Sequence, residues 1–282
     1  MRVLVTGAGG RLGSEIVCQL ADDGHRVRAQ DRVALPDDVA ARADEVITGD
    51  LRDADLVATS VVAMDAVVHA AAFPSPNAAA EDEVFVNNVE SAYRVLASAG
   101  RAGVGRIVNV SSLSALGLAW AHSALSPERV PIPEDHPYVG EDEYGLSKYV
   151  GELIAEMVSR RWGTTAVSLR FPFLGSGDRL SHHLSRVHAD PGADRAGLWG
   201  WLHTRDAARA VSATLTSPLT GHVSITVAAP DTSALVPTAE LLRRYHPTTR
   251  IDGPLPGFEV PYATGRGREL LGFTPVHRWR ST

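Results

Sequence analysis

Residues Met1–Gly13 read MRVLVTGAGGRLG, and this stretch decides the fold. Val3–Val5 predicts a short buried strand, and Ser14–Leu20 predicts a helix with its apolar residues on one face. Between them lie three glycines in a G-x-x-G-x-x-G spacing: Gly7, Gly10 and Gly13. Glycines at this spacing let the backbone turn sharply, approach a pyrophosphate closely and pack the helix against the strand. Because the helix N-terminus directs unpaired N–H groups at the phosphates, the stretch predicts a dinucleotide site rather than an ordinary tight turn.

Composition narrows the class of protein. The chain has 282 residues, is 44% hydrophobic and carries a formal net charge of −6, which argues against nucleic acid as the main partner. Cys18 is the single cysteine and lies in the first predicted helix, which suits a reducing compartment. There is no apolar run of membrane-spanning length, and the chain starts directly in a strand. We therefore expect a cytoplasmic protein that has no membrane or nucleic-acid partner.

Strand-like and helix-like segments alternate along the chain. After the first unit, the predicted strands are Arg26–Gln30, Glu45–Thr48, Ala66–His69, Arg106–Val110, Thr165–Arg170 and Val223–Val227. Asn88–Arg101 and Gly145–Arg161 have helical apolar spacing. This alternation predicts an α/β protein with a Rossmann, doubly wound parallel sheet and ligand binding at the carboxyl ends of the strands. We expect a dinucleotide-binding domain over residues 1–170 and a smaller substrate-binding region over 171–282, interleaved with the sheet.

The pattern loosens after Arg170. The stretch Ser176–Gly197 is polar and carries three histidines, His182, His183 and His188. His182 and His183 are adjacent, so they point in different directions in any regular structure and favour a loop or pocket over a metal site. No metal is therefore expected, and the absence of a G-x-S-x-G motif argues against acyl transfer.

Asp31 closes the second predicted strand, 18 residues after Gly13. An acid near this spacing accepts hydrogen bonds from the adenosine ribose and repels a 2′-phosphate, which favours NAD; the alternative is a turn-forming surface acid. Arg32 and Arg11 leave NADP possible, because a guanidinium near the ribose can receive the phosphate. Asp50 and Leu51 would then lie near the adenine.

Three small residues follow the fourth predicted strand: Ala70, Ala71 and Ala72. Side chains of this size would let a dinucleotide run close to the backbone. Simple tight packing explains them equally well, because small residues are often buried.

Tyr144 and Lys148 lie in the segment YGLSK, and the i, i+4 spacing puts both on one helix face. A phenol has an ordinary pKa of about 10, and a nearby ammonium stabilises the phenolate and lowers that pKa. The pair therefore predicts a general acid–base with its activating cation rather than solvated helix surface. Ser111 and Ser112 end the fifth strand, where a hydroxyl either binds the substrate oxygen or caps the next turn.

Together these segments resemble the short-chain dehydrogenase/reductase superfamily, in its extended, NAD-dependent epimerase/dehydratase branch. The resemblance rests on TGAGGRLG (Thr6–Gly13), Asp31, GDL (Gly49–Leu51), HAAA (His69–Ala72), NNVES (Asn87–Ser91), VSSLSALG (Val110–Gly117), YGLSK (Tyr144–Lys148), LRFP (Leu169–Pro172), HTRDAARA (His203–Ala210) and GRELLGFTP (Gly267–Pro275). It implies NAD or NADP as cofactor, a small-molecule substrate and a homodimer formed through the helices around Asn88–Arg101 and Tyr149–Arg161. The family places its catalytic Ser or Thr five positions before the glycine that is Gly117 here, which selects Ser112.

The resemblance also assigns site residues. The implied catalytic residues are Ser112, Tyr144 and Lys148. The implied cofactor-binding residues are Gly7, Gly10, Arg11, Leu12, Gly13, Asp31, Arg32, Asp50, Leu51, Ala70, Ala71, Ala72, Asn88, Val110, Tyr144, Lys148, Phe171 and Pro172. The implied substrate-binding residues are Ser75, Ser112, Phe173 and Arg195.

Two departures bear on the substrate. Phe171, Pro172 and Phe173 stand where many sugar-nucleotide enzymes carry an aromatic–Asn pair, and the C-terminal part leaves little room for a nucleotide diphosphate. Trp199–Asp206 (WGWLHTRD) is more similar to uronate dehydrogenases, in which an upstream arginine binds the substrate carboxylate, with Arg195 the nearest counterpart here and a solvated loop residue as the alternative. We expect hydride transfer on a small sugar, sugar acid or ketone. A sugar epimerase or dehydratase, and a non-catalytic dinucleotide-sensing protein, stay open.

Overall fold

The computed structural model describes residues 1–280, and its centre is a seven-stranded parallel sheet in the order β10-β7-β5-β4-β1-β2-β3. The strands are β1 (Arg2–Thr6), β2 (Arg26–Asp31), β3 (Glu45–Thr48), β4 (Ala66–His69), β5 (Arg106–Ser112), β6 (Arg129–Val130), β7 (Thr165–Phe171), β8 (Phe173–Gly175), β9 (Trp201–His203), β10 (His222–Thr226) and β11 (Arg250–Ile251). All seven predicted strands lie in the sheet, so the predicted Rossmann α/β fold is confirmed.

Helices cover both faces of the sheet. They are α1 (Arg11–Asp22), α2 (Asp37–Ala40), α3 (Ala54–Ser60), α4 (Glu81–Arg101), α5 (Glu143–Trp162), α6 (Gly177–Ala189), α7 (Thr204–Thr216), α8 (Thr238–Tyr245) and α9 (Gly265–Leu271). The central strands are buried on both faces, as in Val3–Val5, because α1 and α7 pack on one face and α4 and α5 on the other. Strand order reverses between β1 and β4, and a ligand cleft is expected at that switch point.

A second cluster of buried residues lies beside the sheet, in the C-terminal part of the chain. Trp199 and Leu198 are fully buried there, with Tyr262, Leu241 and Val130 around them. Two small parallel pairs, β8 with β9 and β6 with β11, brace this region. It packs against the carboxyl ends of β5 and β7 through Leu113 and Leu116, among others. The region therefore stands where a substrate-binding part is needed.

The polar stretch Ser176–Gly197 is mostly helical. Gly177–Ala189 forms α6, and Pro191–Asp194 forms a 3-10 turn. Leu180, His183, Leu184 and Val187 follow helical spacing, and His183 and Val187 are buried. Because the polar residue His183 occupies the buried face, the helical spacing is not evident from the sequence.

The predicted helix boundaries were short at their N-termini. The helix predicted from Ser14 begins at Arg11, and the one predicted from Asn88 begins at Glu81. Across residues 1–280, no helix is long and apolar enough to cross a membrane.

Candidate active site

A cleft of about 180 Å³ opens at the switch point. Nine of the predicted cofactor-binding residues line it: Gly7, Gly10, Asp31, Arg32, Asp50, Leu51, Ala70, Ala71 and Ala72. Gly7 has φ of +69°, and a Cβ there would lie 2.6 Å from the backbone of Ala71. A Cβ on Gly13 would collide with the carbonyl oxygen of Gly7. Turn and strand end are thus in backbone contact, which is what a closely approaching dinucleotide needs.

Asp31 holds the glycine turn. Its Oδ2 accepts a hydrogen bond from the N–H of Gly9 at 2.9 Å, and its Oδ1 accepts one from Val33 at 3.3 Å. The carboxylate is half-buried at the cleft wall, where it remains available to a ribose hydroxyl. Arg32, beside it, points its guanidinium over the Phe73 ring, 5.9 Å from the ring centroid.

The far end of the cleft carries acceptors for a base. Asp50 is ion-paired with Arg52 at 2.7 Å, and the side-chain hydrogen bond from Arg52 lowers the pKa of Asp50. Gln30 also lines this end; its Nε2 donates to the Gly49 carbonyl at 2.6 Å, while its buried Oε1 has no hydrogen-bond partner within residues 1–280. A buried acceptor without a partner calls for a donor from a ligand. The glycine cradle and this atom together fit a dinucleotide.

The candidate catalytic residues meet where β5 ends against α5. Lys148 donates from Nζ to the carbonyl of Val110 at 3.1 Å, and Nζ lies 5.8 Å from the centroid of the Tyr144 ring. The Ser112 side chain lies close enough to the Tyr144 hydroxyl to oppose the rise of its pKa. The structure therefore brings all three side chains together, with Val110 as an anchor for the lysine.

The two serines at the end of β5 have different surroundings. Ser111 is buried and donates to Oε1 of Glu152 at 2.5 Å. Ser112 is half-buried, and its hydroxyl pairs with Ser114 beside Tyr144. Ser111 is thus engaged in the protein interior and Ser112 is the more exposed of the two hydroxyls; the catalytic role of Ser112 stays a prediction.

Burial reverses one expectation about Tyr144. It raises the pKa of Tyr144 to about 12, although hydrogen bonding with Ser112 opposes the shift. Burial also lowers the pKa of Lys148 to about 8, with Glu152 opposing it. The predicted lowering of the phenol pKa is therefore absent in the protein alone, because the cost of removing the phenolate from water outweighs the hydrogen bonding with Ser112.

Asn88 acts as a clamp. Its Oδ1 accepts from the Phe73 N–H at 2.7 Å, and its Nδ2 contacts the Phe73 carbonyl at 3.2 Å and the Ser147 hydroxyl at 3.1 Å. The side chain thus joins the loop after β4 to the catalytic helix. It is 5% exposed, so its predicted contact with a cofactor stays a prediction.

Phe173 is held in a stack. The Arg179 guanidinium lies 4.7 Å from the centroid of the Phe173 ring, and the His183 ring packs on Phe173 at 3.9 Å with an angle of 11° between the planes. Phe171 is buried and Pro172 half-buried just before it. A wall of this kind suits a substrate pocket.

The structure adds no support for two of the predicted substrate-binding residues, Ser75 and Arg195. Ser75 precedes the 3-10 turn Pro76–Ala78 without capping it. Arg195 is exposed, and its backbone carbonyl accepts from His246 at 2.9 Å. Both assignments stay predictions. Among residues 1–280, no group of three His, Cys, Asp or Glu side chains is placed to hold a metal ion.

Two signals in the sequence were missed. Lys148 is the only lysine among 27 basic residues, the rest being arginine. A lysine can shift its pKa, whereas an arginine stays charged, so the lone lysine marks its position. Glu152, one turn after Lys148, is buried against Arg170 at 2.7 Å, and its helical spacing from Tyr144 and Lys148 was visible in the sequence.

Ser112, Tyr144 and Lys148 meet where β5 ends against α5, and we call this place the catalytic corner. The fold and the catalytic corner define an NAD-linked enzyme of the short-chain dehydrogenase/reductase type, as the resemblance implied. The model of the NAD dependent epimerase/dehydratase family matches residues 3–228, so the chain belongs to that family. Both the family resemblance and NAD as the cofactor are thereby confirmed.

Curated relatives differ in how much they share. A sterol demethylase protein B from Methylococcus capsulatus is 34% identical over 52% of this chain, and the match spans about half, 48%, of that protein. Uronate dehydrogenase from Pseudomonas putida is 28% identical over 79% of this chain and 75% of its own length. L-arabinose 1-dehydrogenase (NAD(P)(+)) from Haloferax volcanii is 29% identical over 77% and 85%.

A solved structure shares the whole architecture. A short-chain dehydrogenase/reductase superfamily protein from Agrobacterium tumefaciens, crystallised with bound NAD, superposes with a TM-score of 0.73 at 25% identity. The match covers 99% of this chain and 93% of that one.

Proposed function

We propose that this chain is an NAD-dependent dehydrogenase that transfers a hydride between nicotinamide and a hydroxyl or carbonyl carbon of a small sugar, sugar acid or ketone. The observation that carries the proposal is the meeting of Ser112, Tyr144 and Lys148 at the end of β5, beside a glycine cradle that fits a dinucleotide. A non-catalytic nucleotide sensor needs the cradle but not the corner.

Each residue has a separate part in the reaction. In oxidation the Tyr144 phenolate takes the proton from the substrate hydroxyl and becomes the neutral phenol; in reduction the phenol returns that proton to the substrate oxygen. The Lys148 ammonium, anchored on the Val110 carbonyl, stabilises the phenolate by its charge. The Ser112 hydroxyl orients the substrate oxygen and stabilises the charge that develops on it. NAD, when bound, supplies the hydride acceptor.

The substrate class follows from the relatives and the wall of the pocket. Two relatives that match over three quarters of this chain are named for a uronate and for L-arabinose. Phe173 offers an aromatic surface with one cationic neighbour, Arg179, which suits a polyhydroxy acid; burial lowers the pKa of His183 to about 4, so the stacked His183 ring is neutral. We therefore place hexuronic acids and aldoses first.

The test is NADH absorbance with purified protein and a panel of hexuronic acids, aldoses, polyols and ketones, with NAD and NADP. Tyr144→Phe should lower kcat about 10³-fold while the Kd of NAD changes less than about twofold. Tyr149→Phe, on the same helix, is the matched control and should keep full turnover. Equal turnover by the Tyr144→Phe variant would overturn the mechanism.

The same experiment separates the alternatives. Substrate interconversion without NADH release would identify an epimerase. Tight NAD binding without turnover on any member of the panel would favour a sensing protein.

We further propose a homodimer formed by the outer faces of α4 and α5. Four apolar side chains there are between 37% and 52% exposed: Val86, Tyr93, Leu146 and Leu153. A groove of about 660 Å³ continues this face between α3 and α4. A second copy would cover both. Leu153→Glu should give a monomer by light scattering, whereas Leu235→Glu, at a distant exposed site, should leave the dimer intact.

We keep the two-part organisation, residues 1–170 and 171–282, as a proposal; residues 281 and 282 lie outside the described part. The second part contributes β10 to the sheet and carries most of the separate cluster around Trp199. A reducing, cytoplasmic location is also proposed, on the single cysteine; fractionation of the producing cells would test it.

A further inference from the structure

The buried carboxylate of Glu152 lies where three strands meet the catalytic helix. It is 4% exposed and receives four hydrogen bonds. The donors are the Ser111 hydroxyl at 2.5 Å, Arg170 Nε at 2.9 Å, Arg170 Nη2 at 2.7 Å and the Ser224 hydroxyl at 2.9 Å. These residues belong to β5, β7 and β10, so one side chain on α5 joins three neighbouring strands.

Two of the three connections end next to a residue of the candidate site. Ser111 directly precedes Ser112, and Arg170 directly precedes Phe171 at the end of β7. Arg170 also donates to the Glu134 carbonyl at 2.7 Å, which extends the brace to the loop after β6. A movement of Glu152 would therefore move Ser112 relative to α5.

Glu152 also lies one helical turn from Lys148, and its negative charge is what opposes the loss of the lysine proton. The other groups near this pair are Tyr144 and Glu156 on α5, Asp142 at the start of α5, His69 on β4, Arg170 on β7 and His222 on β10. Burial lowers the pKa of His69 to about 3, so His69 is neutral at working pH. Arg170 forms an ion pair with Glu152. Glu152 is also the acidic residue closest in sequence to Lys148.

We propose that Glu152 is a positioning residue of the candidate site: its carboxylate fixes Ser112 relative to Tyr144 and holds the charge on Lys148. The positioning part rests on the proposed function. The electrostatic part concerns Lys148 alone and can be measured without any substrate.

The single lysine makes that measurement direct. Protein grown on lysine labelled with ¹³C at Cε gives one lysine side-chain resonance, from Lys148. Its chemical shift against pH reports the lysine pKa in the wild type and in Glu152→Gln, Glu152→Asp and Glu156→Gln. Glu156 is the matched control, because it lies one turn further along α5 in an exposed ion pair with Arg160.

In Glu152→Gln, the lysine pKa should fall by about one unit, because a nearby opposite charge is lost. Glu152→Asp keeps the charge but shortens the reach, so the lysine pKa should stay within about 0.3 units while kcat falls about tenfold through misplacement. Glu156→Gln should change neither. Where turnover is present, the pH profile of Glu152→Gln should move towards acid by the same amount as the resonance.

Breaking a buried ion pair can prevent folding, so the double variant Glu152→Gln/Arg170→Gln provides a second route. It leaves no uncompensated buried charge, and the lysine pKa should still fall. An unchanged lysine titration in both glutamine variants would overturn the proposal and leave Glu152 as a structural ion pair. A lysine shift without turnover on any substrate would support the electrostatic part while the proposed function fails.

Discussion

The cofactor cleft and the catalytic corner are built in opposite ways. In the cleft, the contacts that matter involve the glycine backbone: Gly7 lies against Gly13 and Ala71, and the Gly9 N–H donates to the Asp31 carboxylate. In the corner, they are side-chain contacts between distant segments, such as Ser111 with Glu152 and Glu152 with Ser224. The cleft is thus sensitive to added volume and the corner to lost charge.

The largest expected effect is in the corner. Lys148→Met should lower kcat about 10³-fold, because no cation is left to stabilise the phenolate. In the wild type, kcat/KM should fall as the pH rises through about 8, where the ammonium loses its proton. Initial rates over a pH series measure both.

The burial of Lys148 also predicts the direction in which Lys148→Met changes the stability of the folded protein. Since burial lowers the pKa of Lys148 from 10.5 to about 8, the charged form destabilises the folded state below pH 8, and this penalty is relieved as the pH rises. Thermal unfolding of Lys148→Met at pH 7 should therefore be unchanged or shifted to higher temperature. A large fall would mean that the lysine is a structural element instead.

A methyl group should be the most damaging change in the cleft. Gly13→Ala places a Cβ against the Gly7 carbonyl and should weaken NAD binding about 100-fold, the equivalent of a few kcal/mol of overpacking. Gly105→Ala is the matched control, because a Cβ there meets its nearest neighbour at 3.7 Å. Equal Kd values for NAD in the two variants would contradict the contrast between the regions.

Charge has a smaller, selective effect in the cleft. Asp31→Ser removes the carboxylate that repels a 2′-phosphate and leaves Arg32 beside it, so the NAD:NADP preference should fall about tenfold. The ratio of kcat/KM for the two cofactors measures this. A preference that does not change would show that Asp31 only holds the Gly9 turn.

A third region, around Asp206 on α7, contains none of the candidate catalytic residues and should show the smallest functional effect. Asp206 is fully buried and accepts from the backbone N–H groups of Val276 and His277 at 3.0 and 2.9 Å and from Arg209 at 2.7 Å. Although burial opposes the shift, these hydrogen bonds lower the pKa of Asp206. Its stabilisation is therefore present above pH 3.8, the ordinary value, and is lost on further acidification.

Asp206→Asn should reduce the free energy of unfolding by about 2 kcal/mol at pH 7 with unchanged cofactor preference. Denaturant unfolding measures the loss. The exposed Asp82→Asn serves as control and should change stability only slightly. A loss of equal size in the control would contradict the role of the Asp206 hydrogen bonds.

The contrast between the regions also explains which parts of the site could be predicted. Gly7, Gly13 and Asp31 lie in one strand–turn–helix–strand unit, so their spacing in the sequence already reflects their spacing in space. Ser112 needed a family resemblance to be chosen over Ser111. The physical difference between the two serines is the hydrogen bond from Ser111 to Glu152, a contact between residues 41 positions apart in the sequence.

Two failures have a related cause. The helix over Gly177–Ala189 was missed because His183 occupies the buried face, where it packs on Phe173. The pKa of Tyr144 was expected to fall because Lys148 is near, yet burial raises it. In both cases a distant element supplied the environment that decided the outcome.

The sequence by itself determined the Rossmann fold, the family, the cofactor cradle and the Tyr–Lys pair, because periodicity, glycine spacing and helical spacing are local properties. Only the tertiary structure decided which serine is bound to Glu152, how Asn88 joins a loop to the catalytic helix, and that Glu152 connects three strands beside the only lysine. Those results depend on burial and on contacts between distant residues, and neither is encoded in the spacing of any one segment.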